Sequence, residues 1–197
     1  MKLINMNDPK LFMILLGSYP PGRHTEQHDV FFSIAPSLKD LIPEIKAFWP
    51  EGTRLHIDGW REVNWVDEYK IEVKQKTTMP PANENDQLKI FFINLGGYKQ
   101  DEFEEFHYKV LAVGKNSGEA IQRSKATAFY KHTGFKGASS HVDDKYGIDV
   151  DDVYFIDDVL PASIKENYSI LVTPTISPGV DQVNLGYFKL DKILNSV

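Results

Sequence analysis

Leu11-Phe-Met-Ile-Leu-Leu-Gly17-Ser-Tyr19 returns later in the chain as Ile90-Phe-Phe-Ile-Asn-Leu-Gly96-Gly-Tyr98. Self-similarity of this kind decides a fold, because each copy is one supersecondary unit. At the same offset Glu26 falls on Glu105 and His28 on His107. A larger offset lays His56-Ile-Asp58 on His141-Val-Asp143 and carries Asp67, Tyr69 and Ile71 onto Asp152, Tyr154 and Ile156. Apolar matches alone are weak, since any two buried strands look alike. The polar matches carry the argument. They predict a first copy over residues 10–73 and a second over 88–158. A polar, proline-bearing linker joins them at 74–87, and a C-terminal extension follows at 159–197.

Within one copy the elements can be read in order. Leu11–Leu16 is a short apolar run that stops at a glycine, so it predicts a buried strand. Tyr19-Pro-Pro-Gly22 is a loop, because two prolines and a glycine break both helix and ladder. Val30–Ala35 predicts the second strand. Ser37 and Asp40 read as a capping pair ahead of a helix striped by Leu38, Leu41, Ile42, Ile45, Phe48 and Trp49. Pro43 either kinks that helix or sits in its first turn, where proline costs least. Leu55–Trp60 predicts the third strand and Tyr69–Val73, which alternates, the fourth. The second helix is expected from Asn116-Ser117 through Ala128. The fold class is therefore α+β. Two tandem β-β-α-β-β repeats each form a small antiparallel or mixed sheet with a helix over one face. In the extension, Tyr168–Thr173 predicts a strand and Leu190–Val197 a terminal helix.

Composition narrows the function classes. Hydrophobic residues make up 42% of the 197 and charged residues 25%, the balance of a globular chain. A net charge of −6 argues against nucleic acid as a partner, and no apolar run reaches membrane-spanning length. The absence of cysteine excludes disulfides, thiolate metal sites and thiol nucleophiles. Leu11–Leu16 lacks the flanks and cleavage motif of a signal peptide, which places the chain in the cytoplasm. Exposed sheet edges could pair two copies into a homo-oligomer.

Three local patterns resemble domain-of-unknown-function family 1543, a bacterial family found in one or two copies per chain. They are the Leu-Gly-x-Tyr turn (Leu16–Tyr19 and Leu95–Tyr98), the Glu-x-His entry to the second strand (Glu26–His28 and Glu105–His107) and the His-x-Asp strand (His56–Asp58 and His141–Asp143). The resemblance implies a tandem α+β protein and, since that family has no assigned activity, no particular chemistry.

Polar residues present in both copies are the candidate site. Glu26 and His28 are two apart, as are His56 and Asp58, and strand residues two apart share a face. Neighbouring strands would gather two imidazoles and two carboxylates, a set that suits a divalent metal such as zinc or iron, or an acid–base pair. The alternative is a buried hydrogen-bond network that ties strand to strand. Tyr19, Arg23, His24 and Trp60 complete the candidate set in the first copy; Tyr98, Glu105, His107, His141 and Asp143 are its counterparts in the second. The expected role is a binding module for a small ligand or a protein, with a metal-dependent enzyme as the rival. Other motifs fail on inspection. His24-Thr-Glu-Gln-His28 has its glutamate in the wrong place for a metalloprotease helix. Gly17–His24 lacks the lysine and the following helix of a phosphate loop. The acidic run Asp149, Asp151, Asp152, Asp157 and Asp158 lacks the glycine and glutamate of a calcium loop and reads as a solvated strand end. Trp49 reads as core, and Trp60 and Trp65 as flanking a turn, all three without tryptophan partners in copy two.

Overall fold

The structure, a computed structural model, describes residues 8–76, 87–98, 101–125 and 148–195. It is a mixed α+β chain with three antiparallel sheets. The chain divides into two compact units, residues 1–78 with 160–197, and residues 79–159. No helix among the described residues is long and apolar enough to cross a membrane.

The first unit is built on β1 (Lys10–Ser18), which pairs with β2 (Gln27–Ala35) on one side and β3 (His56–Glu62) on the other. Alternation along β1 puts Phe12, Ile14 and Leu16 in one cluster with Phe31 of β2 and Ile57 of β3. A single turn of 3-10 helix (Leu38–Leu41) leads into α1 (Ile42–Phe48), and Leu41, Ile42 and Ile45 cover that cluster. Pro43 sits in the first turn of α1, so the helix starts at the proline rather than kinking there. Ser37 does not cap the backbone; its hydroxyl donates to the Asp40 carboxylate at 2.6 Å. Trp49 and Trp60 pack against the core, Trp60 with its ring 6.2 Å from that of Phe12.

The fourth strand behaves differently from expectation. Tyr69–Gln75 (β5) does not return to the main sheet. It forms a hairpin with β4 (Trp65–Val66) through Asp67, which adopts a left-handed φ of 51°, and then pairs along its length with β9 (Tyr168–Pro174). The place beside β3 is taken instead by β10 (Asn184–Lys189), from the C-terminal extension, so the sheet order is β10-β3-β1-β2. The expected terminal helix is α5 (Leu190–Asn195), whose Leu190 enters the core. The extension is thus part of the first unit, not an appendage.

The second unit has a three-stranded antiparallel sheet among its described residues. β6 (Lys89–Tyr98) lies between β7 (Glu105–Gly114) and β8 (Ile148–Phe155). Its helix α2 (Ser117–Ser124) starts where the sequence places it and is capped by Asn116: the Asn116 side chain accepts from the Glu119 N–H, and the Glu119 carboxylate accepts from the Lys115 N–H. Phe91, Ile93, Leu95, Ala112 and Ala120 form the core. Tyr154 and Ile156, expected in a fourth strand, instead end β8 and open a helical turn, α3 (Ile156–Val159). A last short helix, α4 (Ala162–Asn167), precedes β9.

The Asp181 carboxylate holds the loop before β10 by accepting from the N–H groups of Asn64 and Trp65 at 3.1 and 3.2 Å. Asp181→Ala is expected to lower stability by about 1.5–3 kcal/mol, the scale of hydrogen bonds to a charged group. A urea titration against the parent protein checks this.

Candidate functional site

β3 carries one residue more than β1 can pair. His56 faces Gly17 and Ile57 faces Leu16, but the next partner of β1, Leu15, faces Gly59. Asp58 is the extra residue of a β-bulge, a device that bends a strand and re-aims a side chain. β10 adapts on the other side: Leu185 pairs with Gly59 and Phe188 with Ile57, so Gly186 and Tyr187 together oppose Asp58.

Around that bulge the side chains of Glu26, His56 and Asp58 converge, each offering an atom within 4.8 Å of the others. His56 is the centre, 1% exposed. Its Nδ1 donates to the Arg54 carbonyl at 2.6 Å. A carbonyl only accepts, so Nδ1 carries a proton and Nε2 is the free end of the ring. Nε2 lies 2.8 Å from Glu26 Oε1 and 3.1 Å from Asp58 Oδ1. Neither contact has the direction of a hydrogen bond. His56 Nε2, Glu26 Oε1 and Asp58 Oδ2 are all shielded from solvent and make no hydrogen bond among the described residues.

All three atoms point at the same space, above Gly17. A Cβ at Gly17 would sit 2.5 Å from His56 Nε2, 2.5 Å from Asp58 Oδ2 and 2.8 Å from Glu26 Oε1. Only a glycine leaves that volume open.

Each of the three has an outer partner. Arg54 holds His56 through its carbonyl. The Tyr19 hydroxyl donates to Glu26 Oε2 at 3.1 Å. His28, on β2, brings Nε2 to 3.1 Å from Asp58 Oδ2. The loop that presents Arg54 is tied to the end of β1, since Tyr19 N–H and the Ser18 hydroxyl both donate to the Thr53 carbonyl. Arg54 itself has a left-handed φ of 54°. The Tyr187 ring covers His56, with centroids 4.1 Å apart. The hydrogen bond to the Glu26 carboxylate, and its charge, raise the pKa of the Tyr19 phenol above its ordinary value.

The structure therefore brings together Tyr19, Glu26, His28, His56 and Asp58. It does not bring in Arg23 and His24, which lie exposed on the loop before β2; neither side chain has an ion pair or hydrogen bond among the described residues. Trp60 packs into the core instead. Tyr187 and Arg54 went unread in the sequence.

In the second unit Glu105 and His107 do meet a carboxylate, that of Asp151: His107 Nε2 is 3.3 Å from Asp151 Oδ2 and 4.0 Å from Glu105 Oε2. Tyr98 ends β6 in register with Glu105. His141 and Asp143 lie outside the described residues. The strand register assigns the equivalent places elsewhere: Gly96 faces Asp149 where Gly17 faces His56, and Asp151 is the extra residue between Val150 and Asp152 where Asp58 is extra in β3. Asp151, read from sequence as part of a solvated strand end, is the second unit's bulge residue. It closes against Gly96 as Asp58 closes against Gly17.

Comparison with known proteins comes to the same segment. Residues 23–73 match the family model described as Domain of Unknown Function (DUF1543). That match bears out the family resemblance, and it contains Glu26, His28, His56 and Asp58 but neither Gly17 nor Tyr187. Among solved structures, the crystal structure of a protein Il1583 from Idiomarina loihiensis is similar in fold. Its TM-score is 0.58 at 23% sequence identity, over 93% of this chain and 98% of that one. No curated protein sequence matches the chain. The matched segment thus carries the imidazoles and carboxylates of the cluster, on β2, on β3 and at the entry to β2.

Glu26→Gln removes the carboxylate that holds the Tyr19 proton. The Tyr19 phenol is then expected to titrate at lower pH than in the parent, by NMR of its ring resonances. An unchanged Tyr19 titration would show that the contact does not form in solution.

Proposed function

We propose that the first unit is a divalent-cation-binding module, with Glu26, His56 and Asp58 as the protein ligands. The observation that supports the reading is the set of three solvent-shielded atoms, His56 Nε2, Glu26 Oε1 and Asp58 Oδ2, that make no hydrogen bond among the described residues and face one space over Gly17. Two carboxylates so close repel each other unless positive charge lies between them. A divalent ion supplies that charge. One imidazole nitrogen and two carboxylates suit zinc, iron or manganese better than calcium.

The outer contacts support the same reading. A metal-bound histidine characteristically donates its other N–H to a carbonyl, and metal-bound carboxylates are themselves held by neighbours. Arg54, Tyr19 and His28 stand in those three relations to His56, Glu26 and Asp58. Three protein ligands leave coordination open to water or to a ligand, as in sites that act on small molecules. We read the module accordingly as one that binds a small ligand through its ion.

We also propose a tandem organisation in which the second unit is a diverged copy. The two strand orders, β2-β1-β3 and β7-β6-β8, and the bulges at Asp58 and Asp151 support it. In that reading the second copy carries Asp149 at the position of the buried histidine.

The test is a thermal melt of the full chain before and after chelation, then with zinc, manganese or iron restored. An ion at a hundred times its dissociation constant stabilises by about 2.7 kcal/mol. The parent is expected to lose that stabilisation on chelation and regain it with one metal. Asp58→Asn and His56→Ala are expected to show no metal-dependent shift, while His24→Ala, which changes an exposed loop residue, keeps it. A parent melt that ignores every metal would instead leave Glu26, His56 and Asp58 as an imidazolium–carboxylate network holding the sheet.

A further inference from the structure

Beside this cluster stands a cation that the cluster does not neutralise. The Arg54 guanidinium lies over the Tyr19 ring, 5.7 Å from its centroid. Among the described residues it has no carboxylate partner. The carboxylates of the cluster already face other groups. Glu26 directs one oxygen to His56 and accepts from Tyr19 with the other. Asp58 divides its oxygens between His56 and His28. The guanidinium nonetheless stands beside the site, because the ring it lies over is that of Tyr19, whose hydroxyl donates to Glu26.

The charge count then has a direction. A divalent ion held by Glu26 and Asp58 is balanced by their two negative charges, and His56 as a neutral ligand adds none. Arg54 remains as a net positive charge on the rim. Guanidinium is the side chain whose fork matches carboxylate and phosphate oxygens. The backbone is unusual at the same residue: Arg54 holds a left-handed φ that glycine or asparagine adopts at less cost. Its carbonyl is engaged by His56, so the same residue orients the ligand histidine and offers its charge to solvent. The rim is completed by two half-exposed phenols, Tyr19 at 40% and Tyr187 at 58%, which offer aromatic surface to the body of a small molecule.

We propose that the ligand of this site is a small molecule bearing an oxyanion, a carboxylate or a phosphate, that spans from the bound ion to the Arg54 guanidinium. The assignment rests on the divalent-cation reading above and names what that ion is for. Tyr19 and Tyr187 are its flanking walls, and Arg54 is its specificity-determining residue.

Cobalt(II) provides the test, because its visible spectrum responds when an anion enters its coordination sphere. The full chain is loaded with cobalt and the spectrum titrated separately with acetate and with inorganic phosphate. The parent, Arg54→Lys and Arg54→Gly are compared. Cobalt affinity is measured first in each variant, and the anion titrations are compared at full cobalt occupancy, so that any change in metal binding is separated from the change in anion binding. The expected result is a saturable spectral change in the parent with at least one anion. Its dissociation constant should rise tenfold or more in Arg54→Gly and by an intermediate factor in Arg54→Lys, which keeps the charge without the fork. The stronger of the two anions identifies the oxyanion. A cobalt spectrum that neither anion alters, or one altered with equal affinity in Arg54→Gly, overturns the proposal while the metal reading stands. Failure of the parent to bind cobalt, zinc, manganese or iron at all overturns both.

Discussion

The site depends on a mismatch of one residue between two paired strands. β1 and β3 run in register from Gly17 opposite His56 to Leu16 opposite Ile57, and then Asp58 has no place in the ladder. An ordinary strand would keep its ladder spacing through this point. The bulge instead turns Asp58 so that both its oxygens reach imidazoles, one of His56 and one of His28. The opposite strand makes room by presenting a glycine. Neither device works alone: a side chain at Gly17 would fill the space, and without the extra residue the carboxylate would not be aimed at it.

Burial then converts geometry into electrostatics. Ile57 and Leu16, next to His56 and Gly17, are in the hydrophobic core, so the cluster is set against an apolar floor with little water to screen it. Tyr187 covers the imidazole from the side of β10. The rest of the first unit can be read as support for this arrangement. α1 closes the core beneath the sheet, Asp181 secures the loop that leads to β10, and the Thr53 contacts fix the turn that delivers Arg54. The second unit has the bulge and the glycine but places an aspartate at the position of the central histidine.

Much of this was legible in the chain. The repeated apolar strand ending in glycine marked β1 and β6, because a buried run bounded by a turn needs no partner to be recognised. Glu26, His28, His56 and Asp58 stood out because the same polar pairs, two residues apart, recur at fixed offsets later in the sequence. The bulges were not legible. A bulge belongs to the pairing between two strands, and nothing local in His-Ile-Asp-Gly announces it. Spacing alone therefore aligns His141 and Asp143 with His56 and Asp58, and reads Asp151 as a solvated acid although it is the bulge residue of β8. Tyr187 was hidden for a related reason: an edge strand can come from any part of a chain, and Asn184–Tyr187 carries no more than a short echo of β6. The fate of Tyr69–Val73 turned on the same question. Its alternation correctly marked a strand, but the competition for the edge of β3 is decided by tertiary pairing, not by periodicity. Arg54 escaped notice because its role rests on a backbone angle.

The strand that supplies Tyr187 lies downstream of the entire second unit, although it pairs with β3, far upstream. On the ribosome, β3 must therefore wait with one edge unoccupied while the whole of the second unit is made. Contacts of such long sequence separation form late. A nascent or shortened chain would hold Glu26, His56 and Asp58 yet leave the imidazole uncovered and the sheet edge open, the condition in which chains associate wrongly. The closing strand thus makes completion of the site wait on synthesis of the segment that follows the second unit.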